Sequence, residues 1–148
     1  MIRQAAQSDV PVIRACAEEA FSQYIEAIGK KPAPMFADFE AQVAAELIHV
    51  IEAEDTAVAG FITFFEEGDH LHLESLAVFN AHAGKGLGKT LVQFCEAEAV
   101  RRCFCGVELY TNQLMTANLI IYPRLGYRET ERREEHGYKR VFYRKDLA

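Results

Sequence analysis

The stretch Leu76-Ala-Val-Phe-Asn-Ala-His-Ala-Gly-Lys-Gly-Leu-Gly-Lys-Thr90 decides how this chain is read. An apolar strand runs out into a glycine-rich loop, and the loop opens a helix near Gly86. Glycines let backbone N–H groups approach an anion closely, and the helix N-terminus adds partial positive charge. The stretch therefore predicts a phosphate grip. Which phosphate is the question, because two motifs fit the same residues.

The chain around it is 148 residues long, enough for one domain with a real core, and we expect a single domain over residues 1–148. Half the residues are hydrophobic and 26% are charged, the profile of an ordinary globular protein. No apolar run reaches the roughly 20 residues of a membrane span, and Met1-Ile-Arg-Gln-Ala5 lacks the apolar core of a signal peptide, so no membrane partner and a cytoplasmic location are expected. The net charge of −6, without a basic stripe, excludes nucleic acid as a partner and tolerates a cationic amine. Cys16, Cys95, Cys103 and Cys105 have no zinc-like spacing and are expected as reduced, buried thiols.

Outward from the loop, the pattern predicts a strand at Ile2–Ala5 and a helix capped by Ser8-Asp9, with Pro11 in its first turn, running to about Gly29. The two prolines of Lys30–Ala37 predict a loop, and Asp38 caps a second helix through about Leu47. Strands follow at His49–Glu54, Thr56–Glu66 and His70–Val78, with a turn at Gly68-Asp69. A helix covers Gly86 to about Cys103, a strand Gly106–Thr111, and a short helix Met115–Leu125 with Gly126 in the C′ place. A last hairpin joins Tyr127–Glu134 to Gly137–Lys145. The strand–helix–strand unit from His70 to Thr111 implies a parallel pair, and the hairpins on either side imply antiparallel neighbours. The fold class is α/β (α+β): a mixed, mostly antiparallel sheet of about seven strands with helices on both faces.

A nucleoside-triphosphate P-loop is the first motif that fits, from Ala83 to Thr90. Such a loop follows a protein's first strand and is followed by several βα units. Here four strands precede it, fewer than sixty residues follow it, and the next strand ends in Thr111-Asn112 instead of an acidic residue. Too little chain remains for a nucleotide-hydrolysing core.

The second motif is the acyl-coenzyme A signature [QR]-x-x-G-x-[GA]. Its glycines fall on Gly86 and Gly88, while its leading Gln/Arg falls on Ala83. Met115-Thr-Ala-Asn-Leu-Ile-Ile-Tyr-Pro-Arg-Leu-Gly-Tyr127 matches a second signature, N-x-x-x-Y-x-x-x-G-[FY], through Asn118 and Tyr122. His136-Gly-Tyr-Lys-Arg-Val-Phe-Tyr-Arg-Lys-Asp-Leu147 matches a closing strand. With these residues, in this element order, the chain resembles the GNAT superfamily of acetyl-CoA-dependent N-acetyltransferases over essentially its whole length. The resemblance implies a splayed central parallel pair and acetyl-CoA as co-substrate, with no metal. It also implies direct transfer to an amine acceptor; a homodimer is common among such proteins. A small-molecule acceptor leads, with a protein or peptide amine, or a non-catalytic acyl-CoA-binding module, as alternatives.

Acetyl transfer needs a base to take a proton from the ammonium, a donor for the thioester oxyanion and an acid for the leaving thiolate. Alternation along His70–Val78 sets His70, His72, Glu74, Leu76 and Val78 on one face and Leu71, Leu73, Ser75 and Ala77 on the other. Glu74 is the candidate base. The family resemblance gives Tyr122 the role of acid. It also lets the backbone of Leu76, Ala77 and Val78 hold the pantetheine as an added strand, and puts the pyrophosphate on Ala83, Gly84, Lys85, Gly86, Leu87, Gly88 and Lys89, with Asn118 near the coenzyme. Lys89 and Thr90 are then ordinary first-turn helix residues. His72 is a second base or a substrate contact. Tyr24, Phe36 and Tyr110, with Met35, are expected around the acceptor. His70-x-His72-x-Glu74 puts three ligand types on one strand face, but no fourth ligand stands out and no metal is expected.

Overall fold

The first helix starts where an aspartate turns back on the chain. Asp9 accepts from the Ala6 N–H at 2.8 Å and takes both arms of the Arg3 guanidinium at 2.8 and 3.0 Å. Its carboxyl is held below the usual range, first by Arg3. The expected cap at Ser8-Asp9 thus works backwards, tying β1 (Ile2–Gln4) to α1 (Val10–Ser22) instead of binding the helix's own first amides. The computed structural model describes residues 1–147.

Helix α1 ends a turn and a half earlier than its periodicity suggests. The Gln23 amide donates to the Ala20 carbonyl at 2.8 Å, and the Tyr24 N–H to Phe21 at 3.1 Å. With those carbonyls satisfied, the chain breaks and resumes as the one-turn α2 (Ile25–Ile28), which Gly29 closes at φ 87°. The proline loop contains a 3₁₀ turn at Ala33–Phe36. α3 (Phe39–Ala44) is capped by Asp38, whose Oδ1 accepts from the Ala41 N–H at 3.1 Å. It stops short of Leu47 because Glu46 adopts φ 63° and the Leu47 N–H closes onto the Gln42 carbonyl.

The remaining elements are β2 (Ile48–Glu52), β3 (Val58–Glu67), β4 (His70–Val78), α4 (Leu87–Arg101), β5 (Gly106–Asn112), α5 (Thr116–Arg124), β6 (Arg128–Glu135) and β7 (Tyr138–Asp146). A 3₁₀ turn at Asn80–His82 stands in the loop after β4. Pro123 sits in the last turn of α5, where it has no N–H to give the Leu119 carbonyl and only Arg124 of the helix follows it, and Gly126 comes at φ 97° in the expected C′ place. The β6–β7 turn is His136-Gly137, with φ 52° and 80°, the two positive values a tight hairpin needs. Seven strands form one sheet in the order β1-β2-β3-β4-β5-β7-β6, mostly antiparallel with β4–β5 as the parallel pair. The expected fold class is the observed one. No described helix is long and apolar enough to cross a membrane.

The described residues fall into two compact units. One takes Met1–Phe64 and Glu74–Gln93; the other takes Phe65–Leu73 and the chain from Phe94 onward. The core of the first is Ile13, Cys16, Phe39, Ile48, Val50, Phe61 and Leu91, with the Phe39 and Phe61 rings edge-on at 5.8 Å. The core of the second is Leu71, Val107, Leu109 and Val141, with Tyr122, Tyr127 and Tyr143 packed as aromatics. In the first unit β3 lies unusually close to the end of β4: a Cβ on Gly60 would stand 2.5 Å from the Ala77 carbonyl oxygen. Only glycine permits that approach.

The cysteines divide. Cys16 and Cys95 are buried, and burial pushes the Cys16 thiol up to about 12 and Cys95 further. Cys103 and Cys105 are exposed, which corrects the expectation of four buried thiols: both follow the end of α4, past its core-facing turns. Two of four thiols should therefore react with an aromatic disulfide reagent in the native protein, and all four after denaturation. Gly60→Ala should lower stability by about 1–3 kcal/mol, read from the urea midpoint, because β4 backbone must move to admit the methyl.

Candidate active site

β4 sets the site. Leu71, Leu73, Ser75 and Ala77 are buried, and His72, Glu74, Leu76 and Val78 are half-buried, the alternation read from the sequence. The parallel ladder with β5 pairs His70–Leu73 with Gly106–Leu109 and ends there, although β4 continues to Val78.

Glu74 is held in place. Gln42, from α3, donates its Nε2 to Glu74 Oε2 at 2.6 Å. The same amide's Oε1 is buried and has no hydrogen-bond partner. Sequence reading missed Gln42, because a long-range hydrogen bond across thirty-two residues leaves no local signature.

The loop after Val78 turns through Asn80–His82, runs extended at Ala83, and then takes Gly84 at φ 79° and Gly86 at φ 76° before α4 begins at Leu87. A Cβ at Gly84 or Gly86 would meet nothing within 4 Å, so these glycines are there for their backbone angles. Gly88 faces β4, where a Cβ would lie 3.7 Å from a Leu76 methyl. The first amides of α4 have no carbonyl partner within their helix and are available to an anion. The Thr90 hydroxyl donates to the Gly86 carbonyl of its own helix at 3.0 Å. Lys89 is exposed, and Lys85 Nζ lies 3.3 Å from His82 Nδ1. Beside the loop a cleft of about 540 Å³ is lined by His82, Lys85 and Leu87 on one side and by Glu52, Glu54 and Asp55 on the other.

The second unit holds the other expected residues. Tyr122 is buried, its ring near Tyr127 and Tyr143, and burial raises its phenol to about 12. Tyr127 donates to Glu96 at 2.9 Å, and Lys145 reaches Glu96 at 3.1 Å and the Leu125 carbonyl at 2.9 Å. This buried network, invisible in the sequence, fixes the end of α5. Asn118 donates to Thr111 Oγ1 at 3.0 Å and lies 3.8 Å from the Met115 sulfur, which ties α5 to β5. His72 lies between the rings of Phe65 and Tyr110, at 5.1 and 5.5 Å; burial lowers its imidazole pKa. Tyr110 in turn touches Phe142 at 5.4 Å and carries the Arg140 guanidinium 4.2 Å over its face. In the first unit Tyr24 is half-buried at the start of α2, while Phe36 is 67% exposed on its 3₁₀ turn.

A strand that ends in a left-handed glycine loop at a helix N-terminus defines a protein that grips the phosphates of a large anionic cofactor. The chain belongs to the acetyltransferase (GNAT) family, whose model matches residues 13–127. Solved structures share the fold across nearly the whole chain. The PaiA N-acetyltransferase of Thermoplasma acidophilum, in complex with coenzyme A, is 15% identical, with 99% of this chain and 98% of that one covered at a TM-score of 0.80. The ribosomal-protein-S18-alanine N-acetyltransferase of Escherichia coli is 16% identical, with 100% and 94% covered at 0.77. An IAA acetyltransferase of Bacillus cereus is 18% identical, with 99% of each covered at 0.73. No curated protein sequence matches significantly.

Gly86→Ala should cost about 1–2 kcal/mol of stability through its left-handed backbone alone, with no clash to relieve. Denaturant unfolding measures it, and Gly88→Ala, which has ordinary room, should cost less.

Proposed function

We propose that the chain is an N-acetyltransferase that moves the acetyl group of acetyl-CoA directly to an amine, with a small molecule as acceptor. The observation that carries the reading is Glu74. It is half-buried, pinned through Oε2 by Gln42, and two residues before the strand segment that leads into the glycine loop. Pinning one oxygen leaves Oε1 to take the ammonium proton, directly or through water. The orphaned Gln42 Oε1 offers an acceptor for an amine N–H or for that water.

The pyrophosphate of the coenzyme binds the amides opened by Gly84 and Gly86 and the first turn of α4, with Lys85 adding charge. The match of Ala83 to a family Gln/Arg position removes one side chain from this grip and leaves its amides. The pantetheine arm pairs with Leu76–Val78, past the point where the β4–β5 ladder stops. A backbone N–H near Val78 serves as oxyanion donor. Tyr122, by its place in the second signature, protonates the departing thiolate. The acidic net charge of −6 favours a cationic acceptor.

Glu74→Gln should lower kcat by about 10²–10⁴-fold while leaving acetyl-CoA affinity near wild type, and Tyr122→Phe should lower kcat by a smaller factor. Release of free coenzyme A thiol over a panel of amines, amino acids and peptide N-termini measures both. Coenzyme binding without acetylation of any acceptor in the panel would establish the non-catalytic binding module instead. Turnover of peptides alone would assign a protein acceptor.

A further inference from the structure

The start of β4 carries a second cluster, apart from Glu74 and the glycine loop. His70 opens the strand, directly after the two-residue turn Gly68-Asp69, so hairpin geometry sets it opposite Glu67 at the end of β3. His72 follows two residues on, on the same face. One ligand atom from each of Glu67, His70 and His72 lies within 4.8 Å of the others.

His70 is 92% buried by its 8% exposure, and its Nε2 makes no hydrogen bond. That nitrogen points toward Glu67 Oε1, at 3.5 Å. Its other nitrogen, Nδ1, lies 3.1 Å from Asp69 Oδ1, and Asp69 is in turn held by the Arg144 guanidinium at 3.3 Å. With Nδ1–H donating to a fixed carboxylate, the Nε2 lone pair faces the cluster. Histidines that bind metals are oriented in this way by an outer carboxylate. Nε2 thus has one long approach to a carboxylate and no hydrogen bond, and an ion shared with Glu67 would satisfy both groups.

We propose that Glu67, His70 and His72 form a binding site for a divalent transition metal of the Zn²⁺ type. Two imidazoles and one carboxylate are a donor set that suits such an ion and leaves room for water as a fourth ligand. Tetrahedral ligands about 2.1 Å from zinc stand roughly 3.4 Å apart, so the cluster closes with a shift of about 1 Å. Glu67, exposed at the strand end, supplies most of that shift. The alternative trio of Asp69, His70 and Glu108 is weaker, because Arg144 already bonds both of its carboxylates. Glu74, two further along the same face, is engaged by Gln42 and takes no part. The site is structural in its placement, clamping the β3–β4 turn, and does not depend on the acetyltransferase reading.

Titration of chelator-treated protein with Zn²⁺ by calorimetry, and with Co²⁺ by visible absorption, tests it. One ion per chain and a Co²⁺ band of tetrahedral intensity are expected, with a rise in Tm on loading. Glu67→Gln, at an exposed position, and His72→Gln should each weaken binding at least about tenfold, while Glu108→Gln should not. No saturable binding up to millimolar Zn²⁺, or wild-type affinity in both Glu67→Gln and His72→Gln, would overturn the proposal. Acetyl-CoA affinity, measured in chelator, reports separately on the acetyltransferase reading.

Discussion

The alternation of β4 is the constraint from which the rest follows. A strand has a period of two, and here one set of side chains, Leu71, Leu73, Ser75 and Ala77, goes fully into the core. The other set is left half-buried and carries every polar group of interest on the strand: His72 and Glu74, with His70 at its start. A one-residue slip would bury Glu74 and expose Leu73, so the core fixes the position of Glu74. The strand's two ends then serve different purposes. Its start pairs with β5 and carries histidines; its end leaves that ladder and leads into the glycine loop.

Polar groups in the site are kept in place by neighbours distant in sequence. Gln42 reaches Glu74, Glu96 gathers Tyr127 and Lys145, and Arg144 joins Asp69, Glu108 and Asp146. The bonds to Glu74, Glu96 and Glu108 are part-buried, where a lost partner leaves an uncompensated group, while those from Arg144 to Asp69 and Asp146 are exposed. Such arrangements orient reactive side chains without demanding that the chain near them be rigid by itself.

Much of this was legible in the sequence. Turn residues marked the hairpin at Gly68-Asp69, Gly126 marked the end of α5, and 76–90 read as the strand, glycine loop and helix that the structure has, while the last turn falls at His136-Gly137, one residue later than the strand bounds implied. What was not legible came from contacts that overrule local pattern. At the end of α1 the Gln23 side-chain amide takes the Ala20 carbonyl and the Tyr24 N–H the Phe21 carbonyl, and α3 stops early because Glu46 accepts a left-handed turn that propensity would give to glycine. The sequence reading set Glu74 beside His70 and His72, whereas Glu74 is engaged by Gln42 and the carboxylate near His70 is Glu67, across the two-residue turn.

Strand β6 lies at the open edge of the sheet, and the side chains of Arg128 through Glu134 are all exposed. Seven of its eight residues are charged, and they pair among themselves: Glu129 with Arg132, and Arg133 with Glu131 and Glu135. A strand from another chain docking here would have to break these pairs and leave charges facing its own backbone. The edge thus acts as a terminus for β-pairing. Strand addition to this sheet is thereby left to its other edge, at β1.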